Sequence, residues 1–457
     1  MGAERAGRFW PDSRMGVLVF LTIAVAYLTF SARDRSNALA GAGVLLPFNQ
    51  YLPNAGIPFV NVHTLVMVAL AWGILRTPTP PLGQGRPRVP LALSLLALVV
   101  LVAYLQGGLL GSFTRELFVL FKDKISILFV CVAAIKMADS LRAVQRAFWG
   151  CLCGVGAETL FCLLEFLFQS GNVTGHMETR NATGAFLATY TCVYLGVSLA
   201  LRSDPRRRWF VIAVAVGCVA IMGTNSRGGV VALGATFLLV LLVKNRILFV
   251  AVLVIILSYQ VWMPERFSDR FETVDAEAES GGTFARRVRI WRAGLSVLSH
   301  HPFGVGLGRF GPAVGVYSDD PAVLNPYTGE GRAAHNEIVL VSVEFGIQGL
   351  VVFCCLLAGL GARSLKTYRS DPDLLTRGLG LGAACGLMGG FVASLSLTLL
   401  LRTDISGVVW ILLGLCARRA SDLKRTPPRK LSPREGDPVS RFRNHRSSYA
   451  IQSSSMD

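Results

Sequence analysis

Charge is scarce in this chain. Asp, Glu, Lys and Arg together make 16% of its 457 residues, where a soluble globular protein carries about 25%. Acid is scarcest, with 28 Asp and Glu against 45 Lys and Arg, while 52% of the residues are hydrophobic. A deficit on this scale excludes a chain that mostly faces water and favours one integral domain of many helices. The sequence also lacks any CxxC pair, and no His stands at ligand spacing from its ten cysteines. Cys131, Cys151, Cys153, Cys162, Cys192, Cys218, Cys354, Cys355, Cys385 and Cys416 lie in or beside apolar runs, so they read as small packing residues. Neither a disulfide framework nor a metal centre is implied. No basic stripe with interleaved aromatics occurs either, which sets nucleic-acid binding aside despite the net charge of +17.

What is present is a series of long apolar runs. A spanning helix needs about 20 mostly apolar residues. By that measure candidate spans fall near 15–33, 57–76, 89–110, 119–137, 146–168, 184–202, 209–224, 228–243, 246–262, 335–361, 377–400 and 404–417. The expectation is therefore an all-α polytopic membrane protein with about twelve transmembrane helices and one long loop at 263–334. The fourth span carries Lys122, Asp123 and Lys124 near its start and is the least regular. The apolar stretch Asn37–Pro53 reads as a re-entrant or surface piece, because a full crossing there would put the basic linker 76–88 outside.

Orientation follows from where the basic residues gather. Arg5, Arg8 and Arg14 precede the first span, and Arg202 with Arg206, Arg207 and Arg208, Lys244 with Arg246, and Arg363 with Lys366 and Arg369 occupy alternate loops. The positive-inside rule puts these in the cytoplasm. Both termini then lie inside, and the long loop lies on the outer face. An AxA-like site at Ala38–Ala40 is separated from the first apolar run by Arg33, Asp34 and Arg35, so that run reads as a retained anchor. The tail 418–457, rich in Arg, Ser and Pro, reads as a basic disordered segment beside anionic lipid.

Three places break the apolar rule. In Thr224-Asn225-Ser226-Arg227-Gly228-Gly229 an arginine sits between two spans with almost no loop. It either snorkels and sets the turn, or it clamps phosphate oxygens with its guanidinium fork while the glycines let a bulky headgroup approach. In the outer loop, Arg286, Arg287, Arg289 and Arg292 lie on an amphipathic helical repeat with Val288, Trp291 and Leu295 on one stripe. Those arginines touch lipid headgroups, or one of them reaches a lipid-linked pyrophosphate; spacing alone does not choose which. Finally, His335-Asn336-Glu337 opens the tenth span and is followed by Glu344, Gly346 and Gly349. Glu337 and Glu344 are seven apart and share a helical face. They form an ion-pair network with loop arginines, or they orient His335 as a general base on an acceptor hydroxyl. The glycines after His301-Pro302 follow no strand and read as a compact turn, while His63, His176, His300 and His445 stand isolated.

In this order the motifs resemble the O-antigen ligase and polymerase family of bacterial membrane glycosyltransferases. The residues that carry the resemblance are Ser226-Arg227-Gly228-Gly229, Arg287 four before Trp291, His301-Pro302 with Gly304 and Gly306, and His335-Asn336-Glu337 with Glu344 and Gly346. Thr183-Gly184-Ala185-Phe186 with Ala188-Thr189-Tyr190 is a weaker match; the whole covers about residues 183–361. The first 180 or so residues match only in being apolar helices.

The resemblance implies an architecture of the C-type glycosyltransferase kind and an inverting, metal-independent transfer at the periplasmic face of the bacterial inner membrane. The donor implied is a glycan on undecaprenyl pyrophosphate, and the acceptor a hydroxyl of a glycan or of lipid A-core. Membrane lipids are further partners, nucleic acid is not one, and no cofactor is expected. By the same analogy Arg227 and Arg287 hold the pyrophosphate and His335 takes or positions the acceptor proton. Arg289 is the alternative pyrophosphate partner, and Ser226, Asn336, Glu337 and Glu344 shape the substrate site. The outer loop has no DxD-like pair apart from Asp319-Asp320, in keeping with a metal-free reaction. A repeat-unit polymerase and a protein O-glycosylating enzyme share these motifs. A flippase or transporter of lipid-linked sugars shares the anatomy, but its site is expected near the bilayer midplane in repeated halves.

Overall fold

A computed structural model describes residues 13–49, 61–76, 89–168, 173–177, 179–244, 247, 250, 254 and 283–425. Residues 1–421 form one compact unit and 422–457 another, of which only the helical residues 422–425 are described. The expected span at 246–262 falls outside the described residues except at isolated helical positions. Among the described residues the regular structure is helical, with a single bridge between Leu324 and Gly331.

The helices are α1 (Ser13–Arg33), α2 (Arg35–Leu45), α3 (Val62–Leu75), α4 (Leu91–Leu110), α5 (Arg115–Met137), α6 (Leu141–Phe168) and α7 (Arg180–Ala200). They continue with α8 (Arg207–Thr224), α9 (Arg227–Lys244), α10 (Thr283–His300), α11 (Phe310–Tyr317), α12 (Glu337–Ser370), α13 (Leu374–Ser394) and α14 (Thr403–Arg425). Seven of the described helices, α1, α4, α6, α7, α8, α12 and α13, are long and apolar enough to cross a membrane.

Residue pattern explains this arrangement. On α4 the stripe Leu93, Leu96, Val100, Ala103 and Gly107 is buried, while Leu98, Val102 and Leu105 are exposed. A helix that is apolar on both faces, one packed on protein and one open, suits a bundle solvated by lipid. At the centre stands α7, buried along most of its length. It packs against α13, where a Cβ on Gly196 would stand 2.6 Å from the Leu381 carbonyl oxygen, so the two backbones approach closely.

One expectation is corrected near the N-terminus. The stretch after Asn37 is no surface piece: Ser36 to Gly43 are buried on α2, which packs against α6. Small residues allow it, since a Cβ on Gly43 would lie 2.7 Å from the backbone nitrogen of Cys151. α1 and α2 form an antiparallel hairpin, with Tyr27 donating to the Ala38 carbonyl at 2.9 Å and Asn37 to the Phe30 carbonyl at 2.8 Å. Asp34 at the bend pairs with Arg146 at 2.5 Å, and Arg35 pairs with Asp139. These ion pairs hold the bend of the hairpin beside the start of α6.

The last helix also continues past the expected end at 417, to Arg425. Arg419 pairs with Asp371 at 2.8 Å and Lys366 donates to the Ala420 carbonyl at 3.2 Å, which fixes the extra turns on α12 and the turn after it. The remainder of the expected tail lies outside the described residues.

Candidate functional site

Helix α10 packs on the start of α12 through Ile290, Ala293 and Val297, with Val305, Phe310, Val339 and Val343 beneath them. This corrects the expected stripe, because Leu295 is 54% exposed. Trp291 edges into the same contact, and its indole N–H donates to the Ala334 carbonyl at 2.9 Å. Residues four apart share a helical face, so Arg287 stands one turn along from Trp291. The residue after Ala334 is His335. Trp291 thus brings Arg287 and His335 together, and the guanidinium acts on the imidazole: burial first, and the charge of Arg287 second, hold His335 below its ordinary value. Burial likewise lowers Arg287, which remains charged. Of the four loop arginines Arg287 alone is half-buried, with Arg286, Arg289 and Arg292 exposed. Arg289 turns to Asp320, at 3.6 Å.

His335 holds φ at 47°. A non-glycine residue there is uncommon and stores strain of about 1–3 kcal/mol, and such residues cluster at functional sites. Its neighbours supply the restraint. Asn336 caps α12 by accepting from the N–H groups of Ile338 and Val339, and it donates to the Leu395 carbonyl at 3.1 Å.

Glu337 is fully buried and does not turn toward His335. Its Oε2 accepts from the N–H groups of Leu399 at 2.6 Å and Leu400 at 3.1 Å, while Oε1 has no hydrogen-bond partner among the described residues. These bonds hold residues 395–402, an irregular segment between α13 and α14. Irregular backbone at membrane depth survives only when protein satisfies its polar groups. Lys124 donates to the Leu401 carbonyl at 3.1 Å and Trp410 to that of Leu400 at 2.8 Å. Lys124, which made the fourth span look irregular in sequence, is thus a buried cation within reach of the fields of Glu337 and Glu344.

Glu344 is buried too, and its Oε1 accepts from the N–H of Gly308 at 3.0 Å. α12 breaks two residues later at Gly346, with φ 76° and ψ 179°. The break frees backbone groups that the turn at 302–308 takes up. Val305 and Gly306 donate to the carbonyls of Val343 and Glu344 at 2.9 and 3.1 Å, and Ile347 donates to that of Pro302 at 2.9 Å. The compact turn read from the glycines is present. Gly306 has φ 95° and lies against α4, where a Cβ would stand 2.5 Å from the nitrogen of Gly107.

Arg227 opens α9 directly after the turn that ends α8. Asn225 takes the left-handed conformation at φ 52°, and Ser226, buried, accepts from the N–H of Gly229 at 3.3 Å. Ser226 is therefore a helix cap. A Cβ on Gly229 would meet the Gly184 carbonyl at 2.6 Å, and one on Gly228 the hydroxyl of Ser396 at 2.6 Å. Arg227 itself is exposed. Ser396 follows Leu395, to which Asn336 is bonded, so the starts of α9 and α12 abut the same short segment.

Contacts thus bring the surroundings of Arg227, Arg287 and His335 to one end of the bundle, whereas Glu337 and Glu344 brace backbone around it. About two and a half to three and a half turns along α9 from Arg227, a cavity of about 660 Å³ lies between α9, α12 and α13, lined by Thr236, Leu239, Leu357, Leu381, Met388 and Phe391 among others. Sequence reasoning missed residues 395–402, the bracing role of Lys124, and a pairing of His176 with Glu158. The last had a signal: Glu158 and Glu165 lie within an apolar run, where unpaired acids are costly.

Such an end can hold an anion between guanidinium groups and a helix N-terminus, with an uncharged imidazole beside it. The family model described as O-antigen ligase matches residues 212–354, which contain Arg227, Arg287 and His335. Over that stretch the resemblance to the O-antigen ligase and polymerase family is borne out. No curated protein matches the chain.

Proposed function

Taking the family of residues 212–354 as the premise, we propose that this protein moves a glycan from a lipid diphosphate carrier to an acceptor hydroxyl, in the manner of an O-antigen ligase. The carrier is undecaprenyl pyrophosphate, the basic loops face the cytoplasm, and the reaction takes place at the periplasmic face of the inner membrane. The observation that carries this reading is the Trp291–Ala334 hydrogen bond, which sets a half-buried guanidinium beside an imidazole. The cavity between α9, α12 and α13 would take the isoprenoid chain.

In the reaction the acceptor oxygen attacks the anomeric carbon, and the bond from that carbon to the phosphate oxygen breaks. The electron pair leaves with the diphosphate. Arg227 and Arg287 meet the charge that grows on it, which is electrostatic stabilisation of the departing group. Paired guanidinium groups suffice for this in place of a divalent ion. His335, uncharged at neutral pH, accepts or positions the acceptor proton. Attack opposite the leaving group inverts the anomeric centre.

The test is transfer by purified, reconstituted protein from a lipid-linked donor. Arg227→Ala, Arg287→Ala and His335→Ala each lose transfer while still inserting in the membrane. Full transfer by all three removes the proposal. In the native host, deletion leaves carrier-bound chains without a final anchor if the protein is a ligase. Single repeats in place of long chains identify the polymerase instead.

A further inference from the structure

The two residues that directly follow His335 hold one segment of backbone. Asn336 donates to the Leu395 carbonyl at 3.1 Å, and Oε2 of Glu337 accepts from the N–H groups of Leu399 and Leu400 at 2.6 and 3.1 Å. Between these anchors lies Ser396. Its side chain stands against Gly228, where a Cβ would meet Oγ at 2.6 Å, and Gly228 directly follows Arg227. One short path therefore joins imidazole to guanidinium, from His335 through Asn336, Leu395, Ser396 and Gly228 to Arg227. Residues 395–402 are the spacer between them.

The far side of this spacer is secured by neutral donors. Ser406 donates to the carbonyls of Leu399 and Leu400 at 2.9 Å each, Trp410 to that of Leu400 at 2.8 Å, and Thr403 to that of Asp123 at 3.2 Å. Glu337 holds the opposite side, the N–H groups that face α12. It does so at a cost, because the carboxylate is fully buried and Oε1 has no hydrogen-bond partner among the described residues. A buried polar atom without a partner calls for a reason beyond folding, and acids within a membrane bundle are functional candidates by default. The nearby cation works on the same segment, since Lys124 donates to the Leu401 carbonyl at 3.1 Å.

We propose that Glu337 is a positioning residue for glycan transfer: by holding the amides of Leu399 and Leu400 it sets, through Ser396 and Gly228, the separation of Arg227 from His335. This rests on the transfer reaction proposed above. The acid itself touches neither donor nor acceptor. The diphosphate meets the guanidinium while the acceptor oxygen meets the imidazole, so the span between the two must match one geometry. A shift of ~1 Å in that span costs up to ~100-fold in rate, while each half of the site still binds its own part of the substrates. The signature is a fall in kcat with donor KM retained.

The experiment uses the full chain in lipid nanodiscs with a lipid-linked donor and a saccharide acceptor, and reads kcat, donor KM and melting temperature. Glu337→Gln and Glu337→Ala both remove the charge near Lys124, but only the glutamine keeps an oxygen for the two N–H groups. Asn336→Asp keeps the acceptor that caps α12 and loses the donor to Leu395. Glu337→Ala and Asn336→Asp are expected to lower kcat by ~10- to 100-fold, with donor KM within about threefold of wild type. Glu337→Gln keeps most of kcat even though its melting temperature falls.

Cross-linking reads the span directly. A Cβ at position 228 would lie 3.5 Å from that of Ser396, within disulfide reach. The pair Gly228→Cys with Ser396→Cys is expected to join on oxidation, as read by mass spectrometry of the digested protein. Adding Glu337→Gln leaves the yield intact, and adding Glu337→Ala lowers it. The proposal is overturned if Glu337→Ala and Glu337→Gln lose kcat alike, or if the loss falls on donor KM alone. A pair that does not join in the otherwise native chain overturns it too. Where Glu337→Ala fails to insert, Asn336→Asp decides, and kcat within about threefold of wild type there is a negative result. Full activity of Arg227→Ala and Arg287→Ala would instead remove the transfer reading itself.

Discussion

The indole of Trp291 holds the carbonyl of Ala334 at 2.9 Å, and through that one bond a loop helix is registered against the first residue of the His-Asn-Glu motif. Trp291→Phe keeps an aromatic ring and loses the N–H. The stability cost of one such bond is small, about 0.5–1.5 kcal/mol. A displacement of about 1 Å between reacting groups costs up to ~100-fold in rate. Transfer is therefore expected to fall by roughly 10- to 100-fold, with a melting temperature near that of wild type. Wild-type turnover in Trp291→Phe would separate the tryptophan from the site.

Titration of His335 supplies a second expectation. Its folded value lies below the unfolded one of about 6.5, so the unfolded chain binds the proton more tightly. Stability from this group is present above about pH 6.5 and is lost as pH falls through the lowered folded value. Arg287→Gln removes the positive neighbour and raises the folded value, which shrinks the loss. Carbethoxylation of His335 against pH measures this directly, and its midpoint moves up in Arg287→Gln. An unchanged or lower midpoint would mean the two side chains do not interact.

The turn against α4 predicts a contrast between two glycines. Gly306 has φ 95°, and a Cβ there would stand 2.5 Å from a backbone nitrogen of α4, whereas Gly329 has φ 68° and open space beside it. Gly329→Ala bears only the conformational cost, on the order of 1 kcal/mol. Gly306→Ala adds a backbone clash that must part α4 from the break in α12. It is expected to lower the detergent melting midpoint several times as far. Equal shifts in the two would argue against the docked turn.

Lys124 and Glu337 brace residues 395–402 from opposite charges. Removing one buried charge leaves the other uncompensated, at a cost of about 3–5 kcal/mol. Lys124→Met is expected to destabilise the protein on that order, and the double variant Lys124→Met/Glu337→Gln to recover part of the loss. Denaturation of the four proteins in a double-mutant cycle measures the coupling. Strict additivity would show that the two charges act separately.

The sequence made some of this legible for definite physical reasons. Arg227 was readable because a short turn between apolar runs cannot hide a guanidinium. Arg287 was not readable from spacing, which leaves the loop arginines equal; the resemblance alone favoured it, and its partial burial sets it apart from Arg286, Arg289 and Arg292. The direction of Glu337 and Glu344 was not legible either: their shared face was clear, but Gly346 breaks the helix and their partners, Leu399 and Gly308, lie far along the chain. His176 looked isolated because Glu158 stands 18 residues earlier, across a helix end. The burial of α2 was not legible because the charge of the linker 76–88 decided the reading of that apolar stretch, and charge does not register how closely alanine and glycine let helices pack.

The irregular stretch at 395–402 has a consequence for biosynthesis. Its peptide groups are satisfied by Glu337, Lys124 and Trp410, which come from three separate helices. Released from the translocon before α5 and α12 have met, that stretch would present bare amides to hydrocarbon. The C-terminal helix can therefore settle only into a bundle already assembled, and a nascent chain halted just short of Leu399 would leave the carboxylate of Glu337 without the N–H groups that it accepts from.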